Sequence, residues 1–211
     1  MSRRGRLLSL EGGEGAGKST QIARLARRLE ERGIPAVVTR EPGGTEGAEQ
    51  IRRLLVDGAE DRWDPLAELY LLLAARSDHL NRRILPALAN GHWVLCDRFC
   101  DSTRIYQGVA GGLGIALVDR LQAPLLERAT PDLTLVLDLP AELGLARAAG
   151  KPARSRFEKR DLAFHQKVRQ GFLALADREP ARFAVIDAQG SVEAVEARIW
   201  QAVSARMGLP P

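Results

Sequence analysis

The segment from Gly12 to Ser19 is the feature that most constrains the fold of this chain. It reads GGEGAGKS and fits the pattern G-x-x-x-x-G-K-[S/T], a loop that joins a β-strand to an α-helix. Its flanks agree, because the apolar run Leu7 to Leu10 precedes it and apolar residues recur at helical spacing from Thr20 to Arg32. Glycines let backbone N–H groups surround a phosphate, and a helix N-terminus favours negative charge. The sequence therefore predicts a nucleoside triphosphate site.

Two side chains of this loop have specific expected roles. Lys18 is expected to bridge the terminal phosphates, and the Ser19 hydroxyl is expected to ligate Mg²⁺. The predicted triphosphate contacts are Gly12, Gly13, Glu14, Gly15, Ala16, Gly17, Lys18, Ser19 and Thr20.

Strand-like and helical patterns alternate along the whole chain. Strands are predicted at Leu7 to Leu10, Ala36 to Thr39, Trp93 to Cys96, Leu133 to Leu139 and Phe183 to Ile186. Helices are predicted between most of them, among them long ones at Pro65 to Ala89 and Glu158 to Asp177. This alternation predicts an α/β fold with a parallel sheet covered by helices on both faces.

Length and composition limit the number of domains and the classes of partner. With 211 residues, 45% of them hydrophobic, the chain is long enough for one α/β domain spanning 1–211 and too short for two ordinary ones. A net charge of +4 is too small to indicate a nucleic-acid partner.

Cys96 and Cys100 lie among apolar residues and are predicted to be buried, reduced thiols, which favours the cytoplasm. No run approaches the roughly 20 apolar residues of a membrane span, and nothing directs export.

Charged residues follow two of the predicted strands. Arg40 follows the second strand, Asp97 and Arg98 follow the third, and Arg76 comes from the helix before the third strand. Ligands of open parallel sheets bind at the carboxyl ends of strands, so Asp97 is a candidate Mg²⁺ ligand and the arginines suggest a second anion site. Two phosphate sites predict phosphoryl transfer between nucleotides, which needs positioning and charge neutralisation more than a strong base.

Other charged and titratable residues remain open or receive no role. The segment from Gly150 to Arg156 contains Gly and Pro, which break a helix, together with three cations. It is either a mobile basic lid, about 147–160, or an ordinary solvated loop. His79, His92 and His165 receive no role and are expected in a loop or on exposed helix faces.

Five motifs, one of which contains the phosphate loop, extend the pattern along the chain. They are Glu11 to Ser19, Thr39 to Thr45, Ala74 to Arg76, Asp97 to Thr103 with Tyr106 to Gly108, and Pro131 to Thr134. With these motifs the chain resembles, over essentially its whole length, the bacterial thymidylate kinases, P-loop nucleoside monophosphate kinases that phosphorylate dTMP to dTDP with ATP and Mg²⁺. The resemblance implies a P-loop NTPase-type three-layer fold with a five-stranded parallel sheet, a short basic lid and a homodimer.

The resemblance also implies roles for individual side chains. It places Arg40 and Arg98 at the dTMP phosphate and Arg76 at the thymine. It places Glu14 at the sugar 3′-hydroxyl and Arg147 beside the ATP adenine. The other implied dTMP contacts are Leu72, Thr103, Tyr106 and Gln107, with the Tyr106 ring packed where a 2′-hydroxyl would project. The implied catalytic cations are Lys18, Arg98 and, in the lid, Lys151, Arg154 and Arg156.

Two departures from the family pattern keep alternatives open. Leu72 stands where an aromatic residue commonly stacks on thymine, and the lid has Lys151 and Ser155 where the family often has Arg and Asp. Aromatic stacking contributes on the order of 1 kcal/mol, so a monophosphate kinase of different base preference is one alternative. A catalytically idle nucleotide-binding protein is the other.

Overall fold

A five-stranded, fully parallel sheet forms the centre of the computed structural model, which describes residues 4–59, 61–149 and 156–210. The strand order is β2-β3-β1-β4-β5, and every predicted strand is confirmed. The strands are β1 (Leu7–Glu11), β2 (Ala36–Arg40), β3 (Trp93–Asp97), β4 (Leu133–Asp138) and β5 (Phe183–Asp187).

Helices connect the strands and cover the sheet. They are α1 (Lys18–Glu30), α2 (Glu46–Val56), α3 (Pro65–His79), α4 (Leu85–Ala89), α5 (Cys100–Thr103), α6 (Ile115–Leu126), α7 (Ala141–Ala148), α8 (Leu162–Arg178) and α9 (Val192–Met207). Two π-helical segments interrupt this series, π1 (Leu80–Ile84) and π2 (Arg104–Ala110). Within the described ranges, no helix is long and apolar enough to cross a lipid bilayer.

Alternate residues of the central strands build separate cores on the two faces of the sheet. Leu8 and Leu10 of β1 pack in the core that includes α1 and α9, whereas Leu7 packs with π1 and α4. A third cluster joins π2 and α8 to β4 and β5. The sheet is thus covered on both faces, as the alternation predicts for parallel strands.

The parallel pairing brings the ends of three strands together. Asp97 at the end of β3 pairs with Leu10 of β1 on one side and with Arg40 of β2 on the other. The loop after β1 therefore meets the polar residues that follow β2 and β3 at one edge of the sheet, where ligands of such sheets bind.

Two predicted helices differ from the observed ones. The helix predicted from Pro65 to Ala89 is interrupted by π1, because Pro86 supplies no N–H and the α-helical hydrogen-bond register cannot continue through it. The helix predicted from Glu158 begins instead at Leu162. Asp161 caps it by accepting a hydrogen bond from the Phe164 N–H at 2.8 Å.

Candidate active site

A cavity of about 680 Å³ lies at the carboxyl ends of β1, β2 and β3. Residues 14–17 of the phosphate loop and the first turn of α1 form one wall, whereas Gly12 and Gly13 do not line the cavity; residues of α3, π2 and the β3–α5 loop form the opposite side. The predicted site residues that line it are Glu14, Gly15, Ala16, Gly17, Lys18, Ser19, Thr20, Arg40, Leu72, Arg76, Asp97, Arg98, Thr103, Tyr106, Gln107 and Arg147. The structure thus brings residues expected at the donor and at the acceptor to a single cavity.

The phosphate loop approaches α7 more closely than any side chain would permit. Gly15 has φ +67°, and a Cβ there would lie 2.0 Å from the Gly144 carbonyl oxygen. A Cβ on Gly144 would lie 2.2 Å from the Glu14 carbonyl oxygen. Gly144 was missed by the sequence analysis, although an isolated glycine in a helical pattern is a signal for such close backbone packing.

Lys18 folds back along the loop at the start of α1. Its ammonium group donates to the carbonyl oxygens of Gly13 at 2.8 Å and Gly12 at 3.2 Å. Burial lowers the pKa of Lys18, and the nearby charge of Arg98 lowers it further, while the Glu14 carboxylate acts in the opposite direction. The charge of Lys18 is therefore held against the loop, at the wall of the cavity.

Ser19 and Asp97 form a pair of oxygen groups beside Lys18. The Ser19 hydroxyl donates to Oδ2 of Asp97 at 2.9 Å, which connects the first turn of α1 to the end of β3. Hydroxyl and carboxylate oxygens are ligands that Mg²⁺ accepts, usually together with water and substrate phosphates. The pair therefore fits the ion that the sequence predicts for it.

Arg98 connects the phosphate loop to the β3–α5 loop. Its Nη1 donates to the Gly12 carbonyl oxygen and to Ser102 Oγ, both at 3.1 Å, and its Nη2 donates to Glu14 Oε1 at 2.8 Å. The guanidinium carbon lies 4.8 Å from the centroid of the Tyr106 ring. These contacts fix the guanidinium between the two sides of the cavity.

Glu14 is the anionic member of this group. Burial by itself would raise the pKa of Glu14, but the charges of Arg98 and Lys18 and a hydrogen bond from Tyr106 lower that pKa to about 2. The Tyr106 hydroxyl donates to Oε1 at 3.1 Å. Glu14 is therefore ionised at neutral pH and carries an acceptor oxygen into the cavity.

Glu11 is a buried acidic residue to which the sequence analysis gave no role. Its Oε1 accepts the Phe99 N–H at 2.7 Å, and its Oε2 accepts the Ser102 hydroxyl at 2.6 Å. Burial, and then the charge of Asp101, raise the pKa of Glu11 to about 8, although both hydrogen bonds and Arg98 act to lower it. The only sequence signal was its position immediately before the phosphate loop.

Arg76 reaches the cavity from α3 and is almost completely buried. Its Nε donates to Glu41 Oε2 at 2.7 Å, its Nη2 to Thr103 Oγ1 at 2.9 Å and its Nη1 to Gln122 Oε1 at 3.1 Å. A guanidinium has five N–H donors, more than these three bonds use. The three partners, from three separate segments, fix its orientation beside the cavity.

His79 and His165 are buried, contrary to the expectation of exposed helix faces. The His79 ring bonds to Glu41 Oε1 at 3.0 Å and to Thr39 Oγ1 at 2.7 Å. It therefore helps to hold the carboxylate that orients Arg76. His165 is also buried, and burial lowers its pKa, but its ring nitrogens have no hydrogen-bond partner among the described residues.

Arg40 and Arg52 line the same part of the cavity. Arg40 is half exposed and forms a salt bridge with Glu49 at 3.0 Å. Arg52 of α2 donates to the Pro42 carbonyl oxygen at 2.7 Å, and its pKa is lowered by burial and by the charge of Arg40. Arg52 was missed by the sequence analysis, because it stands within a helix and follows no strand.

Tyr106 lies in an aromatic cluster at the edge of the cavity. Its ring makes edge contacts with Phe157, Phe164 and Phe172 at centroid distances of 6.0 to 6.4 Å. Burial raises the pKa of Tyr106, so its hydroxyl stays protonated and donates to Glu14. The ring is therefore fixed at both its edge and its hydroxyl.

Gln107 and Arg156 meet at one carboxylate of α3. Gln107 Nε2 donates to Glu68 Oε1 at 2.8 Å, and Arg156 Nη2 bonds to Glu68 Oε2. Arg156 is buried and also contacts the Leu55 carbonyl oxygen, so its guanidinium lies against the end of α2. Lys151 and Arg154 fall outside the described residues, and Arg147 is exposed on α7.

The fold and the cavity together define a class of protein. A phosphate loop between β1 and α1, a hydroxyl–carboxylate pair beside it and a group of arginines across the same cavity are the parts of a P-loop nucleotide phosphotransferase.

Comparison with known proteins gives the family. Residues 10–199 match the family model described as thymidylate kinase. The thymidylate kinase of Caulobacter vibrioides is 55% identical over 97% of this chain and 99% of its own length, and that of Rhizorhabdus wittichii is 50% identical over 95% and 97%. The crystal structure of thymidylate kinase from Ehrlichia chaffeensis has a TM-score of 0.79 and 31% identity, covering 95% of this chain and 99% of its own. The chain belongs to the thymidylate kinase family.

Proposed function

We propose that this chain, a kinase by its family, transfers the γ-phosphoryl group of ATP to dTMP and releases dTDP and ADP. The observation that carries the proposal is the position of Arg98, which bonds to Gly12 and Glu14 of the phosphate loop and also lines the acceptor side of the cavity. One guanidinium can therefore contact the group that is transferred while the loop holds the donor. This arrangement suits transfer between two nucleotides bound side by side.

The donor side holds the triphosphate of ATP. The backbone N–H groups of residues 12–17 and the N-terminus of α1 favour the phosphate charge. Lys18 leaves the carbonyl oxygens of Gly12 and Gly13 to pair with the terminal phosphates. We place Arg147, which lines the cavity from α7, beside the adenine.

Ser19 and Asp97 would hold Mg²⁺ together with phosphate oxygens. Their oxygens are 2.9 Å apart and belong to the first turn of α1 and the end of β3. When bound, the ion neutralises negative charge on the donor phosphates. The protein's own contribution is to fix these two oxygens beside Lys18.

The acceptor phosphate binds among the arginines. Arg98 and Arg40 hold it, and Arg52, which lines the same region, adds a third positive charge. Each guanidinium can present paired N–H groups to a phosphate. A phosphate monoester is already largely ionised at neutral pH, so positioning and neutralisation are sufficient and no strong base is needed.

The thymidine part of dTMP binds between α3 and π2. Arg76, Thr103 and Gln107 offer polar contacts, and Leu72 covers the base by apolar contact. Glu14 accepts a hydrogen bond from the 3′-hydroxyl, while the fixed Tyr106 ring leaves no room for a 2′-hydroxyl. This arrangement favours deoxyribose.

The basic lid, about 147–160, supplies cations that neutralise the transferring group. Lys151, Arg154 and Arg156 are the candidates, because the phosphate loop carries no arginine. Arg156 would have to leave Glu68 and the end of α2 to reach the phosphates, which makes its part in the reaction conditional on lid movement.

A monophosphate panel tests the function. ATP consumption is measured with dTMP, dUMP, UMP, CMP, AMP and GMP, and the Lys18→Ala variant supplies the background rate. We expect dTMP to give the highest kcat/KM. Turnover of no acceptor would overturn the proposal in favour of an idle nucleotide-binding protein.

The same panel tests a second candidate, a kinase of different base preference. Leu72 is the observation that favours it, since this side chain lines the cavity without a ring to stack on the base. A higher kcat/KM for another monophosphate than for dTMP would establish that preference and refute the dTMP assignment.

We also propose a homodimeric, cytoplasmic enzyme whose residues 1–211 form one domain. The family resemblance supports the dimer, and the buried free thiols Cys96 and Cys100 suit a reducing compartment. Analytical ultracentrifugation of the full chain tests the assembly. A sedimenting mass of one chain at all concentrations would contradict it.

A further inference from the structure

Glu11 stands at the junction of the donor and acceptor sides without lining the cavity. It is the last residue of β1 and is fully buried. Its carboxylate points toward the β3–α5 loop, residues 98 and 99, and toward α5, rather than toward the phosphate loop that it precedes. A buried carboxylate is costly unless its partners require it, so these partners indicate what it does.

Glu11 is connected to Arg98 by two hydrogen bonds that share the Ser102 hydroxyl. Ser102 gives its only hydroxyl proton to Glu11 Oε2 at 2.6 Å. The Ser102 oxygen then offers a lone pair to Arg98 Nη1, which donates to it at 3.1 Å. Arg98 thus receives an acceptor whose orientation Glu11 determines.

Glu11 also supports the backbone at Arg98. Arg98 has φ +67°, the only positive φ of a non-glycine residue in the described ranges. Its own N–H donates to the Leu10 carbonyl oxygen at 3.0 Å, and the next N–H, of Phe99, donates to Glu11 Oε1 at 2.7 Å. The left-handed conformation, which is unfavourable for a side chain like arginine, is therefore held from both sides by the end of β1.

We propose that Glu11 is a positioning residue for the acceptor phosphate, fixing the Arg98 backbone and guanidinium through Phe99 and Ser102 without touching either substrate. The inference rests on the proposed function, because it takes the Arg98 guanidinium as a ligand of the dTMP phosphate.

This position requires a side chain with two acceptor oxygens, as glutamate has. Glu11 Oε1 accepts from the Phe99 N–H, a group that can only donate. Glu11 Oε2 accepts from the Ser102 hydroxyl, which donates to it. Glutamine has the same shape, but its amide nitrogen would face a donor and accept nothing. Glu11→Gln therefore removes an acceptor oxygen while it leaves the packing intact.

The test compares Glu11→Gln, Ser102→Ala and the double variant by steady-state kinetics and thermal unfolding. For Glu11→Gln we expect the KM for dTMP to rise about tenfold and the KM for ATP to change less than about twofold, as one misplaced hydrogen bond of the charged Arg98 guanidinium implies. Ser102→Ala should raise the KM for dTMP less. The double variant should be no worse than Glu11→Gln alone, since both act through the same chain of bonds.

Ser9→Ala is the matched control. Ser9 is a buried polar residue two positions earlier on the same strand and face, and its hydroxyl bonds to Thr134 at 3.2 Å, away from Arg98. It should leave both KM values unchanged, whatever it does to the thermal midpoint.

Three results would overturn the role of Glu11. They are equal changes in both KM values, a lower thermal midpoint with an unchanged KM for dTMP, and multiplicative effects in the double variant. If Glu11→Gln does not fold, Ser102→Ala decides, and an unchanged KM for dTMP in that variant refutes the inference. A wild-type protein that turns over no dTMP would instead overturn the proposed function, so the two failures are distinguishable.

Discussion

The donor and acceptor sides of the cavity are built in different ways. Most of the donor side comes from one continuous stretch, residues 14–20, in which neighbours along the chain are also neighbours in space, and among the described residues only Asp97 and Arg147 come from elsewhere. The acceptor side is assembled from the end of β2, from α2 and α3, from the β3–α5 loop and from π2. A continuous site can be predicted from spacing alone, whereas an assembled site depends on contacts that only the fold creates.

The two sides also manage charge differently. Lys18 bonds to neutral carbonyl groups, whereas three arginines of the acceptor side are paired with carboxylates, Arg40 with Glu49, Arg76 with Glu41 and Arg98 with Glu14. Ion pairs hold a long guanidinium side chain in one place before a ligand arrives. The arginines of the acceptor side are therefore preorganised by carboxylates, one of which, Glu14, belongs to the phosphate loop, whereas the donor side is preorganised by its backbone.

The largest expected effect is on the donor side. Lys18→Ala should lower kcat by about a thousandfold, because it removes a charge beside the transferring phosphoryl group. Lys167→Ala, a change at an exposed lysine of α8, is the control and should leave kcat unchanged. Steady-state assays with dTMP check both variants. Retention of most of kcat by Lys18→Ala would show that the donor side does not work through this lysine.

The ion pair between Glu14 and Arg98 should appear as a dependence of stability on pH. A carboxyl whose pKa is lowered to about 2 contributes stability that is complete above its unfolded value of 4.5 and is lost as the pH falls through about 2. A shift of this size corresponds to on the order of 3 kcal/mol. The difference in the free energy of unfolding between wild type and Glu14→Gln should therefore shrink as the pH falls from 6 toward about 2.

Urea unfolding at several pH values measures this difference. Glu127→Gln, at an exposed glutamate after α6, serves as the control and should show a small difference throughout. If the gap between wild type and Glu14→Gln is the same at pH 6 and at pH 3, Glu14 is not stabilised by the ion pair.

Arg98→Lys tests whether the acceptor side can be weakened without an effect on the donor side. Lysine keeps the charge but cannot reach Gly12, Ser102 and Glu14 with one planar group. We expect the KM for dTMP to rise by about thirtyfold with little change in the KM for ATP, since a charged hydrogen-bond network is lost on one side only. Arg40→Lys, at a half-exposed residue, should have a smaller effect. Equal changes in both KM values would mean that the sides are not separable.

A smaller effect is expected at Tyr106. Tyr106→Ala should reduce the preference for dTMP over UMP about tenfold, because removal of the ring opens space for a 2′-hydroxyl. Tyr106→Phe keeps the ring and its contacts with Phe157, Phe164 and Phe172, so the preference should persist. The ratio of kcat/KM values for the two acceptors checks this. Unchanged discrimination in Tyr106→Ala would refute the steric role.

The sequence predicted the sheet and the phosphate loop because both depend on local patterns. Strand β1 and helix α1 flank the loop as expected. The break at π1 was missed because apolar spacing continues through it, and only Pro86 signalled that the helical register changes.

The partners of the site residues could not be predicted in the same way. Glu11 and Ser102 are separated by 91 positions, and Glu41 and His79 by 38, so nothing local connects them. His79 was expected to be exposed because its neighbours in the sequence are polar, but the turn of α3 directs it toward β2. Arg52 was missed for a related reason, since its role depends on where α2 packs.

The most direct measurement concerns the two sides together. The probe is a dinucleotide in which a polyphosphate bridge joins adenosine to thymidine. If ATP and dTMP occupy the same cavity, this compound should span both sides, and Lys18 and Arg98 should contact its polyphosphate. In calorimetric titration one molecule should bind per chain, and in kinetics it should compete with ATP and with dTMP. Competition with only one substrate, or simultaneous binding of dTMP and the dinucleotide, would contradict a shared cavity.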